Sequence, residues 1–444
     1  MRNKRLHLWF ALVVCVISVP AYALLPIQYW QTRNGARVYF VENRDLPMLD
    51  VSVDFPAGSA FDTREKSGLA AITQRLLKLG AGGLSEDEIA RRMADAGAEL
   101  AGRFDDDRAG VSLRTLSSTD ELKQALDLLA RILQRPEFPV AVLEREKTRI
   151  IGAIREADTK PEVIVDKNFN ALVYGDHPYG LRSSGEADTV AALTREDLVG
   201  FYRHYYTADH AVVVVMGNVS HSEAEVIADQ LTAELPRSGA PAVIPEVRPL
   251  TRAETRVIAH PASQSHVLIG APGIKRGDPD YFPLFVGNYI LGGGGFVSRI
   301  LEEVRQKRGL AYSAYSYFSP MKERGPFVIG LQTRKDQVGE AVGVVRNTLK
   351  DFVAKGPSAD ELKKAKQNIV GGFPLRIDSN RKIVDYLGVI GFYRLPLSYL
   401  DDFVPNVEKV TLADIRNAFA RRVDPERMVT VIVGADQAAL DSAK

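Results

Sequence analysis

The seven histidines stand at positions 7, 177, 204, 210, 221, 260 and 266. No two are four residues apart, so no helix presents the paired imidazoles that hold zinc on one face. His260 and His266 are an even number apart and fit one face of a strand, but a third ligand is missing. His177 precedes Pro178 and reads as structural. The one cysteine, Cys15, lies near the N-terminus, which removes zinc ribbons, disulfide frameworks and catalytic thiols together. Asp105-Asp106-Asp107 has the composition of an acidic metal site, yet three adjacent carboxylates before Arg108 read as a solvated turn. The run Gly292, Gly293, Gly294, Gly295 can take positive φ and admit a peptide backbone, or it is a plain flexible turn. It matches neither G-x-x-x-x-G-K-[ST] nor G-x-G-x-x-G, so it is no phosphate loop. Ser298 is expected to cap the helix that carries Glu302, Glu303 and Arg305.

These residues belong to a chain of 444 residues, long enough for two to four domains. Hydrophobic residues at 45% and charged ones at 25% are globular values, which excludes disorder. A formal net charge of +1 gives no field that would draw nucleic acid or an anionic membrane. Arg2, Lys4 and Arg5 precede an apolar run from Leu8 to Val19, and Ala21-Tyr22-Ala23 supplies a cleavage pattern. Residues 1–23 therefore read as an export signal, and the bacterial periplasm is the expected destination. The apolar run is too short to span a bilayer, so no stable membrane span is expected after cleavage. An uncleaved anchor and a lipid on Cys15 are the alternatives, the second weakened by the bulky Val14 before it.

Apolar spacing gives strands from Gln31 to Val41, with a turn at Asn34-Gly35, and over 48–55, 109–116 and 210–217. It gives helices over 68–79, 120–133 and 139–156. The first of these should turn Arg75 and Lys78 to solvent. Capping boxes at Ser85/Glu88, Thr194/Asp197 and Thr411/Asp414 start three more helices. Thr411 and Gly434 follow Thr194 and Gly217 by the same 217 positions, and Leu362 follows Leu143 by 219, so one design is written twice. A proline-rich connector over 236–249 separates the expected domains, 24–235 and 250–444. Each unit mixes strands and long helices without strict alternation, which implies an α+β fold: a mainly antiparallel sheet with helices on one face. Two such units suggest a clam with a groove.

Several strings resemble the pitrilysin/insulinase family of zinc metallopeptidases over essentially the whole chain after the signal. They are Pro56-Ala-Gly-Ser59 before Gly68-Leu-Ala70, Glu144-Arg-Glu-Lys147, His177-Pro-Tyr-Gly180, Phe201-Tyr202, Leu291-Gly-Gly-Gly-Gly295 and Glu303-Val-Arg-Gln-Lys-Arg-Gly-Leu-Ala-Tyr-Ser313. The resemblance implies H-x-x-E-H after Gly-Leu-Ala, but Ala71-Ile-Thr-Gln74-Arg75 stands there, and Gly152 occupies the place of the distal glutamate. Ala71 and Gly152 bring no ligand atom, Arg75 brings a fixed positive charge, and Gln74 cannot take a proton. This chain is thus expected to bind no metal.

In the family, an arginine and a tyrosine seven positions later face the zinc from the other type of domain, and Arg305 and Tyr312 match that pair. The resemblance gives them the role of donors to the scissile region of a peptide. The bland alternative pairs Arg305 with Glu302 and packs Tyr312 against Tyr315 and Tyr317. The expected function is the non-zinc subunit of a heterodimeric exported peptidase, with a zinc-bearing homologue as partner and a peptide as substrate. A catalytically inactive peptide-binding or scaffold protein is the rival, and a self-sufficient metallopeptidase with other ligands is ranked last.

Overall fold

The computed structural model describes residues 26–237 and 243–434. The export signal and part of the connector therefore lie outside the described residues. The first half runs through β1 (Gln28–Gln31), β2 (Arg37–Glu42), β3 (Met48–Phe55) and α1 (Leu69–Leu76) to a small hairpin, β4 (Gly80–Ala81) and β5 (Leu84–Ser85). It continues with α2 (Glu86–Asp95), β6 (Glu99–Phe104), β7 (Ala109–Leu116), α3 (Thr119–Gln134), α4 (Val140–Ala157) and α5 (Pro161–Tyr174). It ends with α6 (Ala187–Ala192), α7 (Arg195–Tyr205), β8 (Val212–Gly217) and α8 (His221–Thr232).

The second half holds β9 (Glu254–Ile258), β10 (Gln264–Pro272), α9 (Tyr281–Asn288), α10 (Arg299–Leu301), β11 (Ala311–Phe318) and β12 (Pro326–Arg334). Then come α11 (Val338–Lys355), α12 (Ala359–Gly372), α13 (Asn380–Tyr393), α14 (Phe403–Lys409), α15 (Leu412–Arg422) and β13 (Val429–Val433). The capping boxes at Ser85, Thr194 and Thr411 are all formed, each hydroxyl accepting from the N3 backbone while the N3 carboxylate reaches back.

The two sheets share one strand order. The first runs β1-β2-β8-β3-β7-β6, and the second, read from its far edge, runs β9-β13-β10-β12-β11. In both, one neighbouring pair is parallel, β2 with β8 and β13 with β9, and the remaining pairs are antiparallel. The α+β architecture expected from the repeat is the architecture found.

Each half packs its own helices on one face of its sheet, and a helix of the other half covers the opposite face. The period of two in β2 and β8 shows this directly. Val38, Phe40, Val213 and Val215 point into the first half's core, whereas Tyr39, Val41, Val212, Val214 and Met216 join Ile383, Leu387 and Ile390 of α13. A side chain at Gly391 would sit 2.6 Å from Tyr39 and Val212, so α13 approaches as closely as it does only with glycine there. Reciprocally, Val165, Phe169 and Val173 of α5 pack on Leu268, Val328, Val431 and Val433 of the second sheet. Ile244 and Val247 of the connector are buried in that same cluster.

Polar contacts lock the crossover. Asp107, expected in a solvated turn, is 1% exposed. Its carboxylate accepts from Tyr179 Oη (2.5 Å) in the first half, and from Tyr393 Oη (2.7 Å) and the Lys322 backbone N–H (2.7 Å) in the second. Burial pushes its pKa up against these three bonds. The turn reading fails because the two halves close over this loop and exclude water from it. Among the described residues, no three His, Cys, Asp or Glu side chains are grouped to hold a metal. His260 instead meets the Thr159 carbonyl through Nε2 (3.0 Å), and His177 meets the Pro245 carbonyl (2.8 Å). Among the described residues no helix is long and apolar enough to cross a membrane.

Asp107→Ala leaves three buried donors facing an apolar gap, and about 3 kcal/mol or more of stability should be lost, whereas Tyr393→Phe should cost about 1 kcal/mol. Urea unfolding midpoints measure both. Equal midpoints for the two variants would remove Asp107 from its role as the clasp between the halves.

Candidate functional site

The first candidate site is built on α1, α4 and the edge strand β6. Gly68, at φ +94°, turns the chain into α1, and Asp62 fixes that start by accepting from the Gly68 and Ala70 N–H groups at 2.8 Å each. Burial raises the Asp62 pKa to about 7 in spite of those bonds. From this start, Ala71, Gln74 and Arg75 face a cavity of about 440 Å³ shared with Gly102 and Phe104 of β6 and with Glu146, Arg149 and Ile150 of α4.

The side chains in it do not fit zinc. Gln74 lies over Gly102 and donates from Nε2 to the Gly110 carbonyl (3.0 Å), so its amide is bound to the sheet. Arg75 does not simply point to solvent as its helical position suggests. Its Nε donates to Glu146 Oε2 at 2.5 Å, and the Glu146 side chain is 4% exposed. Arg145 lies 3.3 Å and Arg149 3.8 Å from the same carboxylate. Burial raises the Glu146 pKa, but the hydrogen bond and charge of Arg75, aided by Arg149 and Arg145, outweigh it and hold the carboxyl below its usual value. Gly152 is exposed, with nothing within 4 Å of where a side chain would start. A guanidinium thus stands where the resemblance implies a metal ligand, and it is balanced by a carboxylate outside the expected ligand set. Glu146 was visible in the sequence only as part of Glu144-Arg-Glu-Lys147, and the signal for its role is the arginine at position 75 itself, which demands a partner.

The second candidate site lies on the other half, at the equivalent sheet edge. Tyr289–Gly293 and Glu302–Gln306 are turns of π-helix, the wide form that recurs at functional sites. Gly292 is pressed against β11, where a side chain would meet Ser316 Oγ at 2.3 Å, and Gly293 and Gly294 pack on Asn288 and Tyr289. Only Gly295 of the four takes a positive φ, +61°, with open space around it. The run is therefore a tightly seated support with one turning residue at its exposed end. Ser298 differs from expectation, since its hydroxyl donates to the Gly295 carbonyl (2.7 Å) and leaves the following helix without a side-chain cap.

These supports bring Arg305 and Tyr312 together. The π turn aims Arg305, and the irregularity between Ala311 and Ser313 in the pairing of β11 with β12 re-aims Tyr312. The Arg305 guanidinium carbon stands 4.5 Å from the centre of the Tyr312 ring and 4.9 Å from that of Phe296. Tyr312 is 79% exposed. The bland alternative is absent, because Glu302 pairs with Lys307 (3.2 Å) and Tyr315 stacks on Tyr317. Arg305 makes no ion pair among the described residues. Arg299, six residues earlier, clamps the whole segment to α12 with two bonds to Glu361 at 2.5 and 2.6 Å. Chemically, the pair offers a guanidinium and a phenol as free donors on a surface, suited to a carbonyl oxygen that gains negative charge. The two candidate sites lie on different halves, and no hydrogen bond or ion pair among the described residues joins them.

Two outcomes follow from these contacts. Arg75→His deprives the buried Glu146 of its main partner, and a loss of roughly 2–3 kcal/mol is expected in denaturant melts, below the range for a fully isolated buried pair because Arg145 and Arg149 remain. Unchanged stability would show that Glu146 needs no partner. The second outcome concerns pH. Partial burial raises the Glu361 pKa, but the bonds from Arg299 and Ser358 dominate and hold it at about 2. A depressed carboxyl contributes stability above its unfolded pKa near 4.5, and this is lost as pH falls toward 2. Wild type should therefore lead Glu361→Gln by about 2–3 kcal/mol at pH 6 and lose that lead by pH 2. A gap that does not change with pH would refute the assignment.

Comparison with known proteins shows the family. The model described as insulinase (peptidase family M16) matches residues 37–185, and the one described as peptidase M16 inactive domain matches residues 192–369. An uncharacterized zinc protease of Streptomyces coelicolor is 30% identical over 386 residues, covering 85% of this chain and 83% of that protein. A Helicobacter pylori protein named non-peptidase homolog YmxG is 24% identical, covering 91% of this chain and 93% of its own. The crystal structure of a peptidase M16 inactive domain from Pseudomonas fluorescens superposes with a TM-score of 0.89 at 37% identity, covering 93% of this chain and 98% of that one. With a matched fold and a matched sequence over most of its length, the chain belongs to the insulinase family of M16 peptidases.

Proposed function

We propose that this chain is the non-zinc subunit of an exported heterodimeric metallopeptidase. It would bind the peptide and stabilise the transition state with Arg305 and Tyr312, opposite the zinc of a homologous partner. The observation that carries this reading is the free Arg305–Tyr312 pair, an exposed donor set held by a π turn, a strand irregularity and the Arg299–Glu361 clamp, with no task inside its own chain. The loss on the other half is selective, because Arg75 and Glu146 replace the metal with an ion pair while the donor pair stays intact.

In a closed complex, zinc held by the partner would supply the activated water. This chain's residues do the rest of the electrostatics. The Arg305 guanidinium and the Tyr312 hydroxyl donate to the scissile carbonyl oxygen, and their bonds strengthen as it becomes an oxyanion. The open edges β6 and β11 offer unpaired backbone groups on which an extended peptide can add as a strand. Residues 1–23 carry the export part of the proposal, with the periplasm as destination. The rival reading, a peptide-binding or scaffold protein without any catalytic share, draws support from the same Arg75–Glu146 pair.

The test is cleavage of a fluorogenic peptide library by this chain, by a copurifying zinc-bearing homologue, and by the two mixed. Activity is expected only in the mixture, and Arg305→Ala or Tyr312→Phe should lower it about 10²–10³-fold, the usual effect of losing one oxyanion donor. If the homologue alone cuts as fast as the mixture, the shared site is wrong and the scaffold reading replaces it.

A further inference from the structure

The cavity between α1, α4 and β6 has a use of its own once zinc is gone. Its apolar part is formed by Ile72, Leu79, Phe104 and Ile150. Its charged part holds three cations, Arg75, Lys78 and Arg149, against two carboxylates, Glu86 and Glu146. These do not cancel. Arg145, which stands outside the lining, takes Glu86 at 2.5 Å. Arg75 reaches Glu146 through Nε, and its two terminal nitrogens make no hydrogen bond among the described residues. Arg149 comes only to 3.8 Å from Glu146, beyond hydrogen-bond reach. Lys78 reaches no carboxylate among the described residues.

A hollow with an apolar wall and surplus positive charge selects an anion that brings its own apolar groups. One wall is also β6, the outer strand of the first sheet, whose Gly102 and Phe104 line the cavity and whose outer edge has no neighbour among the described strands. That edge supplies main-chain donors and acceptors in a row. An extended peptide with a carboxylate uses all three features together, whereas free phosphate uses only the charge.

We infer that this cavity is a carboxylate-recognising subsite for a peptide lying along β6, most simply for its free C-terminus, with Lys78 and Arg149 as the pairing groups and Arg75 as a further donor. Charge at this place is inverted relative to a metal site: a guanidinium fork and an ammonium now face the ligand where carboxylate and imidazole would have faced a cation. The inference rests on the reading that this chain receives peptides, and it needs no partner subunit.

Fluorescence anisotropy on the intact chain alone tests it, with one labelled extended peptide prepared as the free acid, as the C-terminal amide, and as the amide with an internal glutamate. The free acid should bind about tenfold more tightly than the plain amide, as befits one charge-assisted contact. The difference should vanish in the double variant Lys78→Gln/Arg149→Gln. Both side chains sit at the mouth of the cavity, and circular dichroism with the unchanged affinity for the amide shows that the variant is folded. If the glutamate-bearing amide matches the free acid, the carboxylate site stands and its occupant is an acidic side chain. Equal binding of acid and plain amide would overturn the subsite while leaving peptide reception in place. No binding of any of the three would overturn both.

Discussion

Asp107 sits where the two halves of the molecule meet, and the relative placement of everything else depends on how its charge is satisfied. No ion pair reaches it among the described residues; it is held by two phenols and one backbone N–H, drawn from both halves. A buried carboxylate is tolerable only with its hydrogen bonds in place, and two of the three exist only when α13 and the loop at Lys322 are docked on the first half. The Tyr179 hydroxyl that donates to Asp107 also accepts from the Glu323 N–H (3.1 Å), so the bonds form a chain across the seam. The exchange of α5 and α13 supplies the apolar counterpart, since each sheet would otherwise expose a face rich in Val and Leu. The halves are thereby one cooperative unit rather than two beads on a connector, and both candidate edges are held on a common frame.

On that frame the two sheet edges have gone separate ways. β6 and β11 occupy the same place in the same strand order. Beside β6, at the place the resemblance gives to a metal, the side chains bond to one another instead: Gln74 is tied to the sheet, Arg75 to Glu146, and Gly152 has no side chain to offer. Beside β11, the local structure is unusual in the opposite sense. Two π turns, a strand irregularity and three glycines pressed against their neighbours are costly features in isolation, and proteins retain such features where a side chain must be aimed. They aim Arg305 and Tyr312.

Much of this was legible in the residues themselves. The boundaries at Ser85, Thr194 and Thr411 follow from capping chemistry local to four residues, and 48–55 and 109–116 follow from alternation, so these elements lie where they are expected. The repeat showed that the two halves are alike, but not the strand order that they share. What could not be read is addressed at a distance. The spacing of Val165, Phe169 and Val173 states that one face of α5 is buried, but period carries no address, and the surface it meets is the other half's sheet. Asp107 is indistinguishable from its neighbours in sequence, and its burial depends on Tyr393, 286 positions away. At the site, residue types showed the family's ligand pattern to be missing after Gly68-Leu-Ala70; they did not show that Glu146 pairs with Arg75, nor that Ser298 bonds backward instead of capping forward.

The cost of keeping the second site bears on what kind of loss the first one is. Phe296, Val297 and Tyr312 expose 67%, 68% and 79% of their surface around Arg305, an arrangement with no benefit to the stability of the isolated chain. The Arg305 guanidinium stacks on the rings that rim it, and its strength as a donor would rise further if a bound molecule excluded water and lowered the local dielectric. Drift after general loss of function would remove such a rim first, since any polar substitution there improves solubility. On the first half the opposite holds. The buried Glu146 carboxylate finds its partner, Arg75, within the chain. The buried charge of the first half is thus paired within the chain, whereas the donors of the second half face outward, a contrast that the proposed division of labour between subunits would use.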